Sequence, residues 1–427
     1  MSFLTYYGED RPFGPAPRRV YGRIDSREGP GAEAAGPSTI LIDSVDADWF
    51  DERGREAGWL AAPETREEAD RNVSILHAPE RDVPGGLLAR WMRHRGEERW
   101  IEIEFTDGED VEHYLNLFGA PLMRGSGPWR TVPAHVEAQL ERATGLDALP
   151  GASREQLIEA LGRVGDVEAL AVYDVGHGAC SALLAPWPAL YFDFGGGVKA
   201  NRNTFPTALR RFCMSEDPPI VLSHWDFDHW SSAQRDIRAL KLTWIVPRQP
   251  IGAVHTVMLG ALLAEGHVLV WPRDLGALDV GAVRIEACTG PRSSRNDSGL
   301  AMILTHPDGS QMLLPGDCRY DSIPSARGRF ASIVVPHHGG RTRSKFVPTS
   351  DGRAAGRCVY SVGDPNQWDH PFPSVLADHA GVYAAELFTA VRAPEGLGHV
   401  HLYWDESQSE QLLGCGGGEC DLRCTQR

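Results

Sequence analysis

Between Ser223 and Trp230 the chain reads Ser-His-Trp-Asp-Phe-Asp-His-Trp, which places His224, Asp226, Asp228 and His229 within six residues. Two imidazoles and two carboxylates this close together can hold a divalent cation. Neutral imidazole suits Zn, Mn or Fe, and carboxylate oxygen adds negative charge and hardness. The stretch follows Pro219-Ile220-Val221-Leu222, an apolar run that reads as a buried strand. A strand that ends by delivering four donor side chains into one loop is a way to build a metal site. A solvated polar loop is the plain alternative, and donor residues at the ends of later apolar runs weigh against it.

Those later runs form a pattern. From about Leu170 onward, short apolar stretches alternate with turns rich in Gly, His and Asp. Residues 169–173 lead into Asp174-Val175-Gly176-His177-Gly178, and 190–192 lead into Asp193-Phe194-Gly195-Gly196-Gly197. Residues 312–314 lead into Pro315-Gly316-Asp317, and 333–335 into Pro336-His337-His338-Gly339-Gly340. Residues 358–362 run on through Asn366 to His370-Pro371. Further strands are expected at 242–246, 268–271 and 301–304. Polar residues at the C-terminal ends of successive strands are where layered α/β folds carry their chemistry.

Residues 1–165 have a different texture and are expected to form an accessory α+β domain, with a partner-binding or substrate-selecting role open to it. The stretch 11–36, rich in Pro, Gly and Arg, is expected to be loop-like. Residues 39–42 and the alternating 99–105 read as strands, and 134–143 and 153–164 as helices, the second opened by Ser153 and Gln156 at capping-box spacing. His77, His94, His113 and His135 are scattered and read as surface or core histidines. A domain over 166–405 and a Gly/Cys-rich tail over 406–427 complete the organisation. Cys415, Cys420 and Cys424 in that tail lack the spacing of a metal knuckle.

With 427 residues and 42% hydrophobic content the chain can bury sizeable cores. A formal net charge of -16 argues against a broadly basic, non-specific nucleic-acid surface, while leaving room for a local basic rim. The longest run without Asp, Glu, Lys or Arg, 175–192, is broken by Gly176, Gly178, Pro186 and Pro188, and reads as strand, turn, strand. No signal segment is evident, and a cytoplasmic protein without membrane contact is expected.

Taken in order, the Asp174 and Asp193 turns, the His224–His229 loop, Asn296-Asp297-Ser298-Gly299-Leu300, Pro315-Gly316-Asp317, the His337-His338 pair and the stretch through Asn366 to His370-Pro371 resemble the metallo-β-lactamase fold superfamily. Within it they are most similar to the hydrolase portion of the bacterial ComEC-type DNA-uptake proteins and their soluble relatives. The resemblance covers roughly residues 168–405. It implies an αββα sandwich with a metal site along one sheet edge, one or two ions (Zn or Mn, with Mg open), and hydrolysis by metal-activated water. It implies His224, Asp226, Asp228 and His229 as loop ligands, Asp317 as a carboxylate able to bridge two ions, and His337 or His338 as a later imidazole. The superfamily's additional histidine between the loop and Asp317 has no clear counterpart among His255, His267 and His306.

The residues suggest further roles. Asp228 is expected to orient or deprotonate the water. His370 is open as a metal ligand, a phosphoryl contact, a proton donor or a turn histidine. Arg341, Arg343 and Lys345 suit a phosphate-bearing substrate or a solvated basic turn, and Asn366 is expected to bind substrate with them. Asp174, Asp193 and His177 are expected to brace the ligand loops. Trp225 and Trp230 suit base stacking or packing under the loop. The expected function is a phosphodiesterase, first of all a nuclease. A cyclic-nucleotide, small phosphodiester, ester or lactone hydrolase is the alternative, and a catalytically degenerate metal-binding scaffold the non-enzymatic one.

Overall fold

The computed structural model describes residues 16–28, 38–55, 63–93, 100–185, 187–352, 356–392, 396–404 and 420–421. His94, Cys415 and Cys424, with most of the tail, lie outside them. The chain forms two compact units: residues 1–148 with 250–265 and 291–293, and residues 149–249, 266–290 and 294–427.

In the first unit, five antiparallel strands run Arg19–Glu28, Thr39–Asp46, Val73–Pro79, Ile101–Tyr114 and Leu122–Thr131. Each pairs with the next, and the first also pairs with the fourth, so the first four strands close on one another and the fifth is left as an edge. Closure satisfies backbone groups that an open edge would leave exposed. Val20, Ile24, Ile42, Leu76, Ile103 and Val111 form its core. The first strand corrects the expectation of a loop over 11–36 for Arg19–Glu28, while 11–15 and 29–36 lie outside the described residues. The strand's apolar face, Val20 and Ile24, is interrupted by Gly22, and its other anchors are polar: Arg19 pairs with Asp48, Asp51 and Glu102 at 2.9, 2.6 and 3.3 Å. The apolar helix Ala253–Glu265 groups with this unit although it lies within 166–405. Its first turn is held by Asp43, whose carboxylate accepts from Val254 N at 2.8 Å.

His113 lies in this unit, fully buried and stacked on Phe105 with ring centroids 5.2 Å apart. Burial lowers its pKa from 6.5 to about 3. The folded form therefore binds fewer protons than the unfolded form between those values, so stability is present above pH 6.5 and lost as pH falls. Each pH unit in that window costs about 1.4 kcal/mol. The expected result is that His113→Phe protein loses about 2 kcal/mol less stability than the parent between pH 6.5 and 5, read from denaturant unfolding curves at the two pH values. Equal losses would contradict it.

The second unit is an αββα sandwich. One seven-stranded sheet has the spatial order 267–270, 243–246, 220–221, 188–194, 180–184, 169–172, 400–403. The other has the order 277–280, 283–287, 300–305, 311–314, 332–334, 357–360, 385–388. Side chains of both sheets meet in one core: Leu170, Phe192 and Val221 from the first, Ile285, Met302 and Leu314 from the second. Period-two alternation divides the second sheet's side chains. Leu300, Met302 and Leu304 enter the shared core, while Ala301 and Ile303 face an outer cluster with Tyr320, Phe330 and Tyr360, against which Val375 and Leu376 of helix Pro373–Ala380 pack. The helix Arg154–Leu161 adds Leu157 and Leu161 to the inner core. It opens with the expected capping box: Gln156 N donates to Ser153 Oγ at 3.2 Å, and Ser153 N to Gln156 Oε1 at 2.8 Å. Among the described residues no helix is long and apolar enough to cross a membrane.

The strands 188–194, 220–221 and 243–246 run parallel to one another, as do 311–314, 332–334 and 357–360. Parallel neighbours end on the same side. The residues that follow 220–221, 311–314, 332–334 and 357–360 are those expected to carry the chemistry.

Candidate metal centre

Each donor is set by the strand it follows and by a hydrogen bond behind it. The strand Ile220–Val221 leads through Leu222 and Ser223 into the loop, which turns into a short helix, Phe227–Trp230. That loop is pinned from below by the glycine turn after Asp193. The Asp228 carbonyl accepts from Ala179 N at 3.0 Å and Gly196 N at 3.1 Å. A Cβ on Gly195 would run into the same carbonyl, so the glycine lets the two backbones approach.

Asp193 takes three bonds, from Ser223 N at 2.6 Å, from Ser223 Oγ at 2.8 Å and at His229 Nδ1, 2.8 Å away. His224 Nδ1 lies 2.9 Å from Ser223 Oγ, and His338 Nδ1 lies 2.8 Å from the Ser361 carbonyl. With Nδ1 engaged on all three rings, Nε2 of each points inward. His224, His229 and His338 are at most 4% exposed, and none of these Nε2 atoms has a hydrogen-bond partner.

Carboxylates face those nitrogens. His224 Nε2 is 3.2 Å from Asp226 Oδ2 and 3.7 Å from Asp317 Oδ2. His229 Nε2 is 3.2 Å from Asp317 Oδ1, and His338 Nε2 is 3.2 Å from Asp228 Oδ2. Metal–ligand bonds of roughly 2.0–2.2 Å put neighbouring donors about 3–4 Å apart, which is the spacing here. In this centre two groups have donor atoms all within 4.8 Å of one another, His224, His229, Asp317 and Asp228, His229, His338; a third, Asp25, Asp43 and His255, lies in the first unit. A cavity of about 20 Å³ touches Asp193, His229, Asp317 and His338. Buried imidazoles with nothing to bond, beside buried carboxylates, fit a divalent cation.

The electrostatics agree. Burial pushes the Asp317 carboxyl up, but His229, His337 and His224 outweigh it and hold it well below the usual range. Burial lowers His229, yet Asp317 and Asp193 lift it well above 6.5. Burial raises Asp228, and the neighbouring His338 and His229 imidazoles override it, leaving Asp228 below its ordinary value. Asp193, Asp226, Asp228 and Asp317 thus concentrate negative charge at one point, which a bound cation offsets.

Of the paired histidines, His338 lies within the donor set. His337 stands at its rim, with a side chain 31% exposed and Nε2 3.9 Å from Asp317 Oδ2. Both adopt left-handed backbone, at φ 54° and 55°, as does Asp193 at φ 61°. Such positions in non-glycine residues collect at functional sites. His370 and His177 border the set, with ring centroids 5.4 Å apart and His177 4.8 Å from His338. Burial lowers His177 to about 3 and His370 well below 6.5, so both face the centre neutral, and Nδ1 of each is without a hydrogen bond.

The remaining expected residues spread outward. Asn366 spends its amide on its own turn: Nδ2 donates to the Gly363 and His370 carbonyls at 2.9 and 2.7 Å, and Oδ1 accepts from His370 N at 3.0 Å. It therefore holds His370 in place. Asp174 is paired with Arg392 at 2.6 and 3.0 Å and accepts from Gly176 N at 3.1 Å, which ties the His177 turn. Arg341, Arg343 and Lys345 line a separate groove of about 440 Å³ with Tyr320, Phe346 and His379. Trp225 and Trp230 are fully buried and cannot stack on bases. His306 stacks on Trp404 and His255 pairs with Asp25, so neither adds an imidazole to the centre.

Ser223, Arg295, Gln249 and Ser361 were not foreseen. Arg295 lies 2.9 Å from Asp226 Oδ1. Its only signal in the chain was adjacency to the Asn296–Leu300 stretch.

No family model and no curated protein matches this chain. Among solved structures, an N-acyl homoserine lactone lactonase described as quorum-quenching is 14% identical over 43% of this chain and 82% of its own, with a TM-score of 0.25. An N-acyl homoserine lactone hydrolase with N-hexanoyl-L-homoserine at its catalytic metal centre is 13% identical over 36% and 76%, with a TM-score of 0.22. A Cronobacter sakazakii metallo-β-lactamase is 17% identical over 42% and 69%, with a TM-score of 0.23. These likenesses are partial, and the sandwich rests on the strand order described above.

Proposed function

We propose that this chain is a metal-dependent hydrolase of phosphodiesters, with nucleic acid as the first substrate to consider. The observation that carries the reading is the convergence of three buried, unbonded Nε2 atoms on Asp226, Asp228 and Asp317. A divalent cation in such a site makes water nucleophilic near neutral pH and draws charge from the electrophile's oxygen. Asp228, His229, His338 and Asp317 would hold it, with His224 beside them.

The chain's own groups supply the rest. Asp228 is the most open of the central carboxylates, at 26% exposure against 5% for Asp317, and it is the one placed to take a proton from an entering nucleophile. Neutral His370, fixed by Asn366, and His337 at the rim are hydrogen-bonding groups for a substrate oxygen. The separate groove that Arg341, Arg343 and Lys345 line with Pro336 and Gly340 would bring cations to flanking phosphates. That groove favours a phosphodiester over an uncharged ester. It also reconciles an anionic substrate with an acidic protein, because the positive charge is local.

The test is cleavage of labelled single- and double-stranded DNA and RNA in Mn, Mg or Zn, beside Asp228→Ala protein as a contamination control. Metal-dependent cutting that chelation and the substitution both abolish is the expected result. Failure on nucleic acids and cyclic nucleotides alike, with turnover of a lactone or carboxylic ester, would replace the phosphodiester reading.

A further inference from the structure

We propose that the centre takes one divalent cation, held by Asp228, His229, His338 and Asp317, and that the Arg295 guanidinium paired with Asp226 stands in for a second. The inference rests on the metal-centre reading above and concerns how many ions that centre accepts.

The two close donor groups share His229. Its Nδ1 is committed to Asp193 at 2.8 Å, so a single atom, Nε2, remains to be given, and one imidazole nitrogen binds one ion. When it serves the ion beside Asp228 and His338, a second ion is left with His224, Asp226, the far oxygen of Asp317 and the rim imidazole of His337, 3.9 Å from that oxygen. Asp226 belongs to neither close group. One of its oxygens faces His224 at 3.2 Å and the other faces Arg295 at 2.9 Å.

Arg295 is built into this place. It is 8% exposed, and its backbone carbonyl accepts from Gln249 Nε2 at 2.6 Å. Gln249 is 4% exposed and its Oε1 accepts from Trp225 N, between His224 and Asp226, at 3.1 Å. One buried amide therefore sets both the ligand loop and the arginine that faces it. A guanidinium stays charged at every working pH. It neutralises Asp226 and repels a cation from the same carboxylate. Neither His306 nor His255 supplies a buried imidazole in compensation, and His337 offers only a partly exposed one at the rim.

The experiment is metal analysis after loading the full-length protein with excess Mn or Zn and removing the free ion. The parent is expected to retain one equivalent per chain. Arg295→Met is expected to retain two, because Asp226 is released, and Arg295→Lys, which keeps the charge, is expected to stay at one. Two equivalents in the parent would overturn the inference whatever the variants do. So would one equivalent in Arg295→Met, or two in Arg295→Lys. An absence of bound metal in the parent would instead remove the metal-centre reading beneath it, and the inference with it.

Discussion

Asp317→Ala protein is expected to lose bound metal and catalysis together, while its circular dichroism stays that of the parent. Asp317 follows the strand Gln311–Leu314 and is 5% exposed. Four imidazole nitrogens surround its two oxygens: His229 at 3.2 Å and His338 at 4.0 Å from Oδ1, His224 at 3.7 Å and His337 at 3.9 Å from Oδ2. No other carboxylate in the centre reaches so many donors, so its removal takes both a ligand and the charge that gathers the rings. A catalytic cation supplies several kcal/mol of transition-state stabilisation. Losing about 4 kcal/mol lowers kcat/KM on the order of 10³-fold. A variant that binds metal with unchanged affinity and keeps a tenth of the activity would show that Asp317 is not part of the centre.

The second large effect is expected from Asp193→Asn, and its signature is different. Asp193 touches no donor position directly and acts through His229. Its carboxylate receives the Nδ1 side of that ring at 2.8 Å and so directs Nε2, deprotonated, to the centre. Asparagine tolerates the left-handed backbone at φ 61° and can still accept from Ser223 N. Its amide N–H group, however, opposes a protonated Nδ1 and favours the tautomer with hydrogen on Nε2. Groups that orient a ligand in this way are worth about 10–100-fold in metal affinity. The expected result is therefore a metal titration displaced by that factor, with kcat approaching the parent's at saturating metal. An unchanged titration, or a kcat that stays low at saturation, would assign Asp193 a different role.

The positions of the strands were legible because alternation and run length are local properties. Residues 169–173, 243–246, 300–305, 311–314, 332–334 and 357–360 all carry apolar runs closed by Gly, Pro or Asp. The strand Arg19–Glu28 was not legible. Its outer face is held by Arg19 against Asp48, Asp51 and Glu102, and Gly22 interrupts its apolar face, so little apolar period is left to detect. The helix Ala253–Glu265 was also unmarked. It is buried nearly all round and shows no amphipathic stripe.

The candidate centre divides in the same way. His224, Asp226, Asp228 and His229 declared themselves because four donors within six residues have few other uses, and ordered turns at strand ends pointed to Asp317 and the histidine pair. Chain order carries donor types and their sequence, and the expected fold class and the proposed chemistry were read from these. It does not carry direction. That His338 enters the donor set while His337 stays at the rim follows from two consecutive left-handed residues and a bond to the Ser361 carbonyl. That Asn366 serves its own turn, that Trp225 and Trp230 are buried, and that Arg295 meets Asp226 across 69 positions depend on where two packed sheets bring their loops. Side-chain chemistry is local and can be read in one dimension. Which atom faces which is set by non-local packing, where distances of a few tenths of an ångström separate a ligand from a neighbour.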